Sequence, residues 1–181
     1  DVKHAGIAGH SLGGKLALLA AKVDSRFLAV FGIDPVDGGT SLLGCKAPQC
    51  VLLANEIGKL PIATGFVGET TDSKAMMQAC APAAQNFQTL FAAAPSPSFA
   101  VTVQGANHMS FLDNLSACGL TCSFCNPAKV SAKSVGDLTK SYMVAFFERR
   151  LRGLTAYDSW LTGSLAQQKF ITSGQASLQQ K

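Results

Sequence analysis

Short apolar runs alternate with longer helical patterns along most of this chain. A continuous apolar run bounded by Gly or Pro is typical of a buried strand, whereas apolar residues spaced by three and four positions indicate a helix. These patterns predict four strands, at residues 4–8, 27–33, 60–67 and 98–104. Because strands alternate with helices, we expect a mostly parallel sheet with helices on its faces. The predicted fold class is α/β.

Three helices are expected between and after these strands. Residues 12–22 are rich in strong helix formers, and apolar residues recur at helical spacing over 87–94. Ser134 with Asp137 three positions later resembles a capping box, which predicts a third helix over about 134–152 that ends at the following glycine.

Three segments do not follow this rhythm. Residues 35–59 and 114–133 are long and contain cysteines, so we interpret them as excursions near the functional end of the sheet. Residues 167–181 are rich in Gln and Ser and are predicted to fray. The expected organisation is one domain over residues 1–166 followed by this tail.

The amino-acid composition argues against several classes of protein. The chain has 181 residues, of which 48% are hydrophobic and 14% charged, which argues against disorder. No uninterrupted apolar run reaches the length of about 18 residues that a membrane span needs. The net charge is only +4, and the basic cluster at Arg149, Arg150 and Arg152 lies at a predicted helix end, where cations complement the helix dipole. A nucleic-acid partner is therefore not expected.

Six cysteines raise the question of a metal site. Cys118, Cys122 and Cys125 form a C-x3-C-x2-C cluster, but no histidine lies near it. Three thiolates without a fourth ligand make a poor zinc site, so no bound metal is expected. Structural disulfides and free thiols both remain open.

The pentapeptide Gly9-His10-Ser11-Leu12-Gly13 matches the pattern G-x-S-x-G. In α/β-hydrolases this pattern places a nucleophilic serine on a strained turn between a strand and a helix, and small neighbours let the turn pack. Here a predicted strand precedes the motif and a predicted helix follows it. Ser11 is therefore predicted to be a nucleophile.

A serine hydroxyl needs a base to accept its proton. The chain contains three histidines, His4, His10 and His108. His4 opens the first strand and His10 lies within the turn, so neither is expected to reach the Ser11 hydroxyl. His108 follows the last predicted strand, which also agrees with the chain order Ser, acid, His of this fold. By elimination, His108 is the predicted base.

The acid that orients the base is expected at the carboxyl end of a neighbouring strand. Asp34 directly ends the second predicted strand and is favoured. Asp72 follows the next strand, the commoner location of the acid in this fold, and remains an alternative. Asp37 is a third candidate, although it can instead hold the turn at residues 35–39.

The oxyanion hole of such an enzyme uses the N–H of the residue after the serine, here Leu12, and a second donor from an earlier loop. The sequence contains no candidate for that loop or for the earlier strands that usually come before the strand at residues 4–8. We therefore expect the C-terminal half of an α/β-hydrolase domain. An upstream segment of roughly 100 residues or more, estimated from usual domain sizes, is expected to supply the neighbouring strands and the second oxyanion donor.

Four blocks extend the motif into a family resemblance. They are Gly-His-Ser-Leu-Gly-Gly at 9–14, Gly-Ile-Asp-Pro-Val-Asp-Gly at 32–38, Cys-Ala-Pro at 80–82 and His-Met-Ser-Phe-Leu-Asp at 108–113. Together, over roughly residues 1–150, they resemble chlorophyllases, which remove the phytyl ester from chlorophyll. The family's Asp-Pro-Val acid corresponds to Asp34. The family often has Arg after the serine, where this chain has Leu.

The resemblance implies a chloroplast enzyme that cleaves chlorophyll with Ser11, Asp34 and His108. It implies no metal or organic cofactor, because the magnesium belongs to the substrate, and it allows access to the substrate at a membrane surface. Apolar side chains after the base are candidates to contact the pigment or phytyl chain, although they equally fit the start of a packed helix. These residues are Met109, Phe111 and Leu112.

Two other classes of function fit the same residues. A lipase, a polyester hydrolase or a relative of platelet-activating-factor acetylhydrolase shares the G-x-S-x-G turn. A non-catalytic protein of the hydrolase fold that binds an apolar ligand is the alternative outside enzymes, and the presence of Ser11, Asp34 and His108 together argues against it.

Overall fold

A five-stranded sheet lies at the centre of the computed structural model, which describes residues 3–38, 51–74, 79–115 and 124–181. Its strands follow the order β1-β2-β3-β4-β5. They are β1 Ala5–His10, β2 Phe27–Ile33, β3 Ala63–Gly68, β4 Ser98–Val103 and β5 Ala176–Gln180. Strands β1 to β4 pair in parallel, and β5 pairs antiparallel with β4. The predicted fold class, a mostly parallel sheet with flanking helices, is confirmed.

Five α-helices accompany the sheet in the described ranges. They are α1 Leu12–Val23, α2 Phe87–Ala93, α3 Ala132–Arg152, α4 Asp158–Leu161 and α5 Ser164–Ala166. Single turns of 3₁₀ helix occupy Leu53–Asn55, Ile57–Lys59, His108–Phe111 and Thr155–Tyr157. Helices α1 and α2 cover one face of the sheet, and α3 covers the other.

Both faces of the central strands are buried. In β2, Phe31 points to the face under α3, where it packs with Phe146, while Val30 points to the face under α1 and contacts the cluster that contains Leu18. All four side chains are 0% exposed. Successive side chains in a strand point to opposite faces of the sheet. Because both faces are shielded from solvent here, the sequence of these strands is a continuous apolar run.

The start of α3 corrects the predicted capping box. The helix begins at Ala132, and its N-cap is Ser131, whose hydroxyl accepts the N–H of Ser134. Ser134 thus lies inside the first turn, because a serine three residues earlier already caps the helix. The predicted end is confirmed, since Gly153 terminates the helix with φ 70°. No helix in the described ranges, α3 included, is both long and apolar enough to cross a membrane.

Residues 167–181, which their composition predicts to fray, have regular structure. Gln167–Ile171 forms a π-helical turn and β5 follows it as an edge strand. Ala176, at 4% exposure, and Leu178 face the core, while the intervening polar residues face solvent. The strand was missed because only two apolar residues alternate within a run of Gln and Ser.

A pair of substitutions in β5 tests whether this tail stabilises the domain. Leu178→Ser removes an apolar side chain that packs against the core cluster, whereas Gln179→Ser changes an exposed neighbour in the same strand. We expect Leu178→Ser to lower the free energy of unfolding by about 1–2 kcal/mol, and Gln179→Ser to change it by less than about 0.5 kcal/mol. Urea unfolding measures both, and equal effects would mean that β5 frays in solution.

Candidate active site

The parallel pairing of β1 to β4 brings their carboxyl ends to one edge of the sheet. His10 lies opposite Ile33 in β2, and Ile33 lies opposite Val67 in β3. The residues that follow these strand ends therefore gather at one edge. They are Ser11 after β1, Asp34 after β2, Glu69 and Asp72 after β3, and His108 after β4.

Ser11 has the strained backbone expected of a nucleophile turn, with φ 55° and ψ −126°. A Cβ at Gly9 would collide with the backbone of Gly13, and a Cβ at Gly14 would lie 2.8 Å from the Gly9 carbonyl oxygen and from Pro35 Cβ. A Cβ at Gly13 would meet nothing within 4 Å. Close packing therefore requires glycine at positions 9 and 14. The backbone of Gly13 occupies the space that a side chain at position 9 would need.

The structure brings the three predicted catalytic residues together. Ser11 Oγ lies 2.8 Å from His108 Nε2, and His108 Nδ1 lies 2.6 Å from Asp34 Oδ2. Although Ser11 is the N-cap of α1, its hydroxyl makes no capping hydrogen bond. The hydroxyl is thus directed to the imidazole, which in turn is oriented by the carboxylate.

Asp34 is fully buried at the end of β2. Its N–H donates to the Val67 carbonyl oxygen at 2.6 Å, and its Oδ1 accepts the N–H of Glu69 at 3.2 Å. Burial raises the pKa of the Asp34 carboxyl, and the hydrogen bond from His108 opposes this rise. The carboxylate is therefore held by two donors, one on each oxygen.

Asp72 contacts the base at its backbone and makes no hydrogen bond to its ring. Asp72 Oδ2 accepts the N–H of His108 at 2.8 Å, and Oδ1 accepts the N–H of Asn126 at 2.6 Å. The side chain is 1% exposed. Asp72 thus links the loops that follow β3 and β4 and fixes the main chain of His108.

Asp37 has a structural environment away from the base. Its carboxylate accepts the N–H groups of Leu53 and Ala54 at 2.6 and 2.9 Å. The buried Lys15 side chain lies 3.1 Å from Asp37 Oδ1 and donates to the Asp37 carbonyl oxygen. Asp37 therefore ties α1 and the 3₁₀ turn at Leu53–Asn55 to the segment after β2.

A disulfide between Cys80 and Cys125 lies next to Asn126. These two sulfurs and Asp72 are the only group of metal-ligand type found in the described ranges. The two sulfurs bond to each other, and Asp72 accepts two N–H groups. This group therefore holds the loop after β3 and the loop after β4 together. Cys125 thus pairs outside the C-x3-C-x2-C cluster, and Cys45, Cys50, Cys118 and Cys122 lie outside the described residues.

Glu69 is a buried acid to which the sequence assigned no role. Its Oε2 accepts the N–H of Asp72 at 2.9 Å, and its Oε1 has no hydrogen-bond partner in the described structure. Burial, followed by the negative charges of Asp34 and Asp72, raises the pKa of Glu69 to about 8. Glu69 therefore holds its proton to a higher pH than an ordinary glutamic acid does.

The remaining predicted site residues surround Ser11 and His108. Leu12 is the first residue of α1, where N–H groups have no intrahelical acceptor, and its side chain is 43% exposed. Met109 and Leu112 are half-buried. Phe111 packs against the core cluster, with its ring centroid 6.1 Å from that of His10. Phe111 is thus at least partly a packing residue.

Glu69→Gln tests the effect of this acid on stability. In the folded protein Glu69 keeps its proton up to a pKa of about 8, against 4.5 for an ordinary Glu. Between these values the folded state binds more protons than the unfolded state, so the free energy of unfolding falls as the pH rises. We expect Glu69→Gln to stabilise the protein more at pH ~9 than at pH ~5, measured by urea unfolding.

The matched control for this variant is Glu148→Gln, on the partly exposed end of α3. Its effect on the free energy of unfolding should be similar at both pH values. An effect of Glu69→Gln that does not change with pH would show that Glu69 is ionised in the folded protein at neutral pH.

Comparisons with known proteins give a family and a structural relative. The sequence model of the chlorophyllase family matches residues 1–163. No curated protein gave a significant match. Among solved structures, the chain resembles a ferulic acid esterase from Streptomyces cinnamoneus, with 23% identity and a TM-score of 0.58. The similarity covers 84% of this chain and 42% of the esterase, and it shows a shared α/β-hydrolase fold. Because the family model matches most of the 181 residues, this chain belongs to the chlorophyllase family.

Proposed function

We propose that this chain carries the nucleophile, base and acid of a serine hydrolase that cleaves the phytyl ester of chlorophyll. The observation that carries the proposal is the chain of two hydrogen bonds from Ser11 to His108 and from His108 to Asp34. Membership of the chlorophyllase family supports the substrate. The site of action would be the chloroplast, where chlorophyll is held, with access to the pigment at a membrane surface.

The first half of the reaction forms an acyl-enzyme. Ser11 Oγ attacks the carbonyl carbon that joins the porphyrin propionate to phytol, while His108 Nε2 accepts the hydroxyl proton. Asp34 holds the Nδ1–H of His108 and stabilises the imidazolium. The Leu12 N–H, at the amino end of α1, stabilises the oxyanion. The intermediate collapses when phytol leaves with the proton from His108.

The second half of the reaction releases chlorophyllide. Water enters where phytol has left, donates a proton to His108 and attacks the carbonyl of the acyl-enzyme. The new tetrahedral intermediate expels Ser11 Oγ, which recovers its proton from His108. Every proton is carried by the imidazole, so the reaction requires no metal or organic cofactor of the protein.

The apolar side chains beside Ser11 suit an apolar ester. Leu12 and Leu16 are 43% and 57% exposed on consecutive turns of α1. Met109 and Leu112 flank the base and are half-buried. In the proposed complex these side chains contact the pigment or the phytyl chain. Such a surface also suits a lipase or a polyester hydrolase, so the choice of substrate must be tested directly.

Hydrolysis of chlorophyll by the full-length protein tests the proposal. We expect chlorophyllide and phytol to appear, and Ser11→Ala to lower the rate by roughly 10³-fold or more, since loss of a nucleophile removes covalent catalysis. Ser177→Ala, an exposed serine in β5, is the control and should retain the parental rate. Chromatography of the pigments measures the product.

The same assay separates the alternatives. Turnover of p-nitrophenyl esters or triacylglycerols without turnover of chlorophyll would point to another esterase. Binding of chlorophyll with no hydrolysis of any ester would point to a non-catalytic binder. Activity of Ser11→Ala within tenfold of the parent would assign the nucleophile to a different residue.

Two isosteric substitutions distinguish the acid from the backbone anchor. Asp34→Asn removes the carboxylate that orients the His108 ring, and we expect kcat to fall roughly 10³- to 10⁴-fold. Asp72→Asn weakens the acceptor of the His108 N–H but leaves the ring pair intact, which predicts a loss of roughly 10- to 100-fold. A larger loss for Asp72→Asn than for Asp34→Asn would reverse the assignment. Steady-state kinetics with a soluble ester provides both values.

A further inference from the structure

His10 lies against the base although it is not part of the hydrogen-bond chain that contains Ser11. It is the last residue of β1, and its Nε2 lies 2.9 Å from the carbonyl oxygen of His108. The two imidazole rings are 4.7 Å apart between centroids and are tilted by 33°. On its other side the His10 ring approaches Phe111, with centroids 6.1 Å apart.

The hydrogen bond determines the tautomer of His10. A backbone carbonyl oxygen only accepts hydrogen bonds, so His10 Nε2 must carry the hydrogen. Burial, together with the nearby His108, lowers the pKa of His10 to about 4. His10 is therefore a neutral imidazole with its hydrogen on Nε2, and it adds no positive charge beside the ring that accepts the proton from Ser11.

Three parts of His108, its ring, its N–H and its carbonyl oxygen, are thus each held by a residue from a different strand end. Asp34, after β2, holds its Nδ1. Asp72, after β3, holds its N–H. His10, at the end of β1, holds its carbonyl oxygen and covers one side of its ring. Without His10, the carbonyl oxygen of His108 would lose its link to β1, the strand that directly precedes Ser11.

We infer that His10 is a positioning residue that fixes His108 for proton transfer through a hydrogen bond from its Nε2–H to the His108 carbonyl oxygen. This role rests on the proposed function of Ser11 and His108. The residue acts through the base and does not touch the reacting ester. A slight change in the direction of the His108 ring reduces proton transfer more than it reduces substrate binding, so the role affects kcat more than KM.

Two substitutions separate the hydrogen bond from simple packing. His10→Phe keeps a ring but removes the donor, and we expect kcat for a soluble ester to fall about tenfold, the effect of one hydrogen bond, with little change in KM. His10→Gln places an amide N–H near the position of Nε2, and kcat should stay within about threefold of the parent. His4→Phe, at an exposed position just before β1, is the control and should not change kcat.

The opposite order would overturn the inference, because parental kcat in His10→Phe with a loss in His10→Gln would mean that only the ring matters. A second measurement does not depend on activity or on the folding of the His10 variants. ¹⁵N NMR of histidine-labelled Ser11→Ala protein should show His10 as the Nε2–H tautomer with a pKa well below that of an ordinary histidine. The Nδ1–H tautomer would exclude the hydrogen bond, because the carbonyl oxygen of His108 needs a donor at Nε2.

These experiments also keep the inference separate from the proposed function. If the parent protein hydrolyses no ester, the proposed function fails, while the NMR spectrum still reports whether His10 binds the His108 carbonyl. If the parent is active and Ser11→Ala is not, but His10→Phe retains full kcat, the proposed function stands and the positioning role is wrong.

Discussion

Strands β1 to β4 run parallel, so the residue that follows each strand emerges at the same edge of the sheet. This pairing is the constraint on which the site depends. Ser11, Asp34 and His108 are far apart in sequence, yet each needs only a short turn to reach its neighbours. The strained backbone of Ser11 is tolerated because the chain packs tightly on both sides of it, with no space for a Cβ at Gly9 or Gly14.

Three acids lie at the same edge of the sheet in a region shielded from water. Ionising all three would be unfavourable, because like charges repel and lose their hydration. Asp34, Glu69 and Asp72 are each at most 1% exposed. Asp34 and Asp72 are each held by two hydrogen-bond donors, whereas Glu69 Oε1 has none in the described structure. Burial and the neighbouring acids raise the pKa of Glu69 to about 8, which reduces the repulsion that Asp34 would otherwise meet as it orients the base.

The parts of the structure that local patterns encode could be predicted. Strands β1 to β4 are apolar on both faces, and the turn at Ser11 has a specific motif between a strand and a helix. Strand β5 could not be predicted, because its polar residues hide the alternation of Ala176 and Leu178. The anchoring of the His108 backbone by Asp72 could not be predicted either. Asp72 and Asn126 are separated by 54 residues in sequence and meet only because two loops bring them together. His10 was rejected as a base because of its position, and the same position allows it to bind the His108 carbonyl.

The disulfide between Cys80 and Cys125 has a consequence for the denatured chain. With a sequence separation of 45, it closes a covalent ring that contains α2, β4 and His108. In the chain-entropy treatment, a ring of this size destabilises the unfolded ensemble by about 4 kcal/mol. Ser11 and Asp34 lie outside the ring. After unfolding, this bond therefore keeps the base within a bounded distance of the loop after β3, whereas it places no such restraint on the nucleophile and the acid.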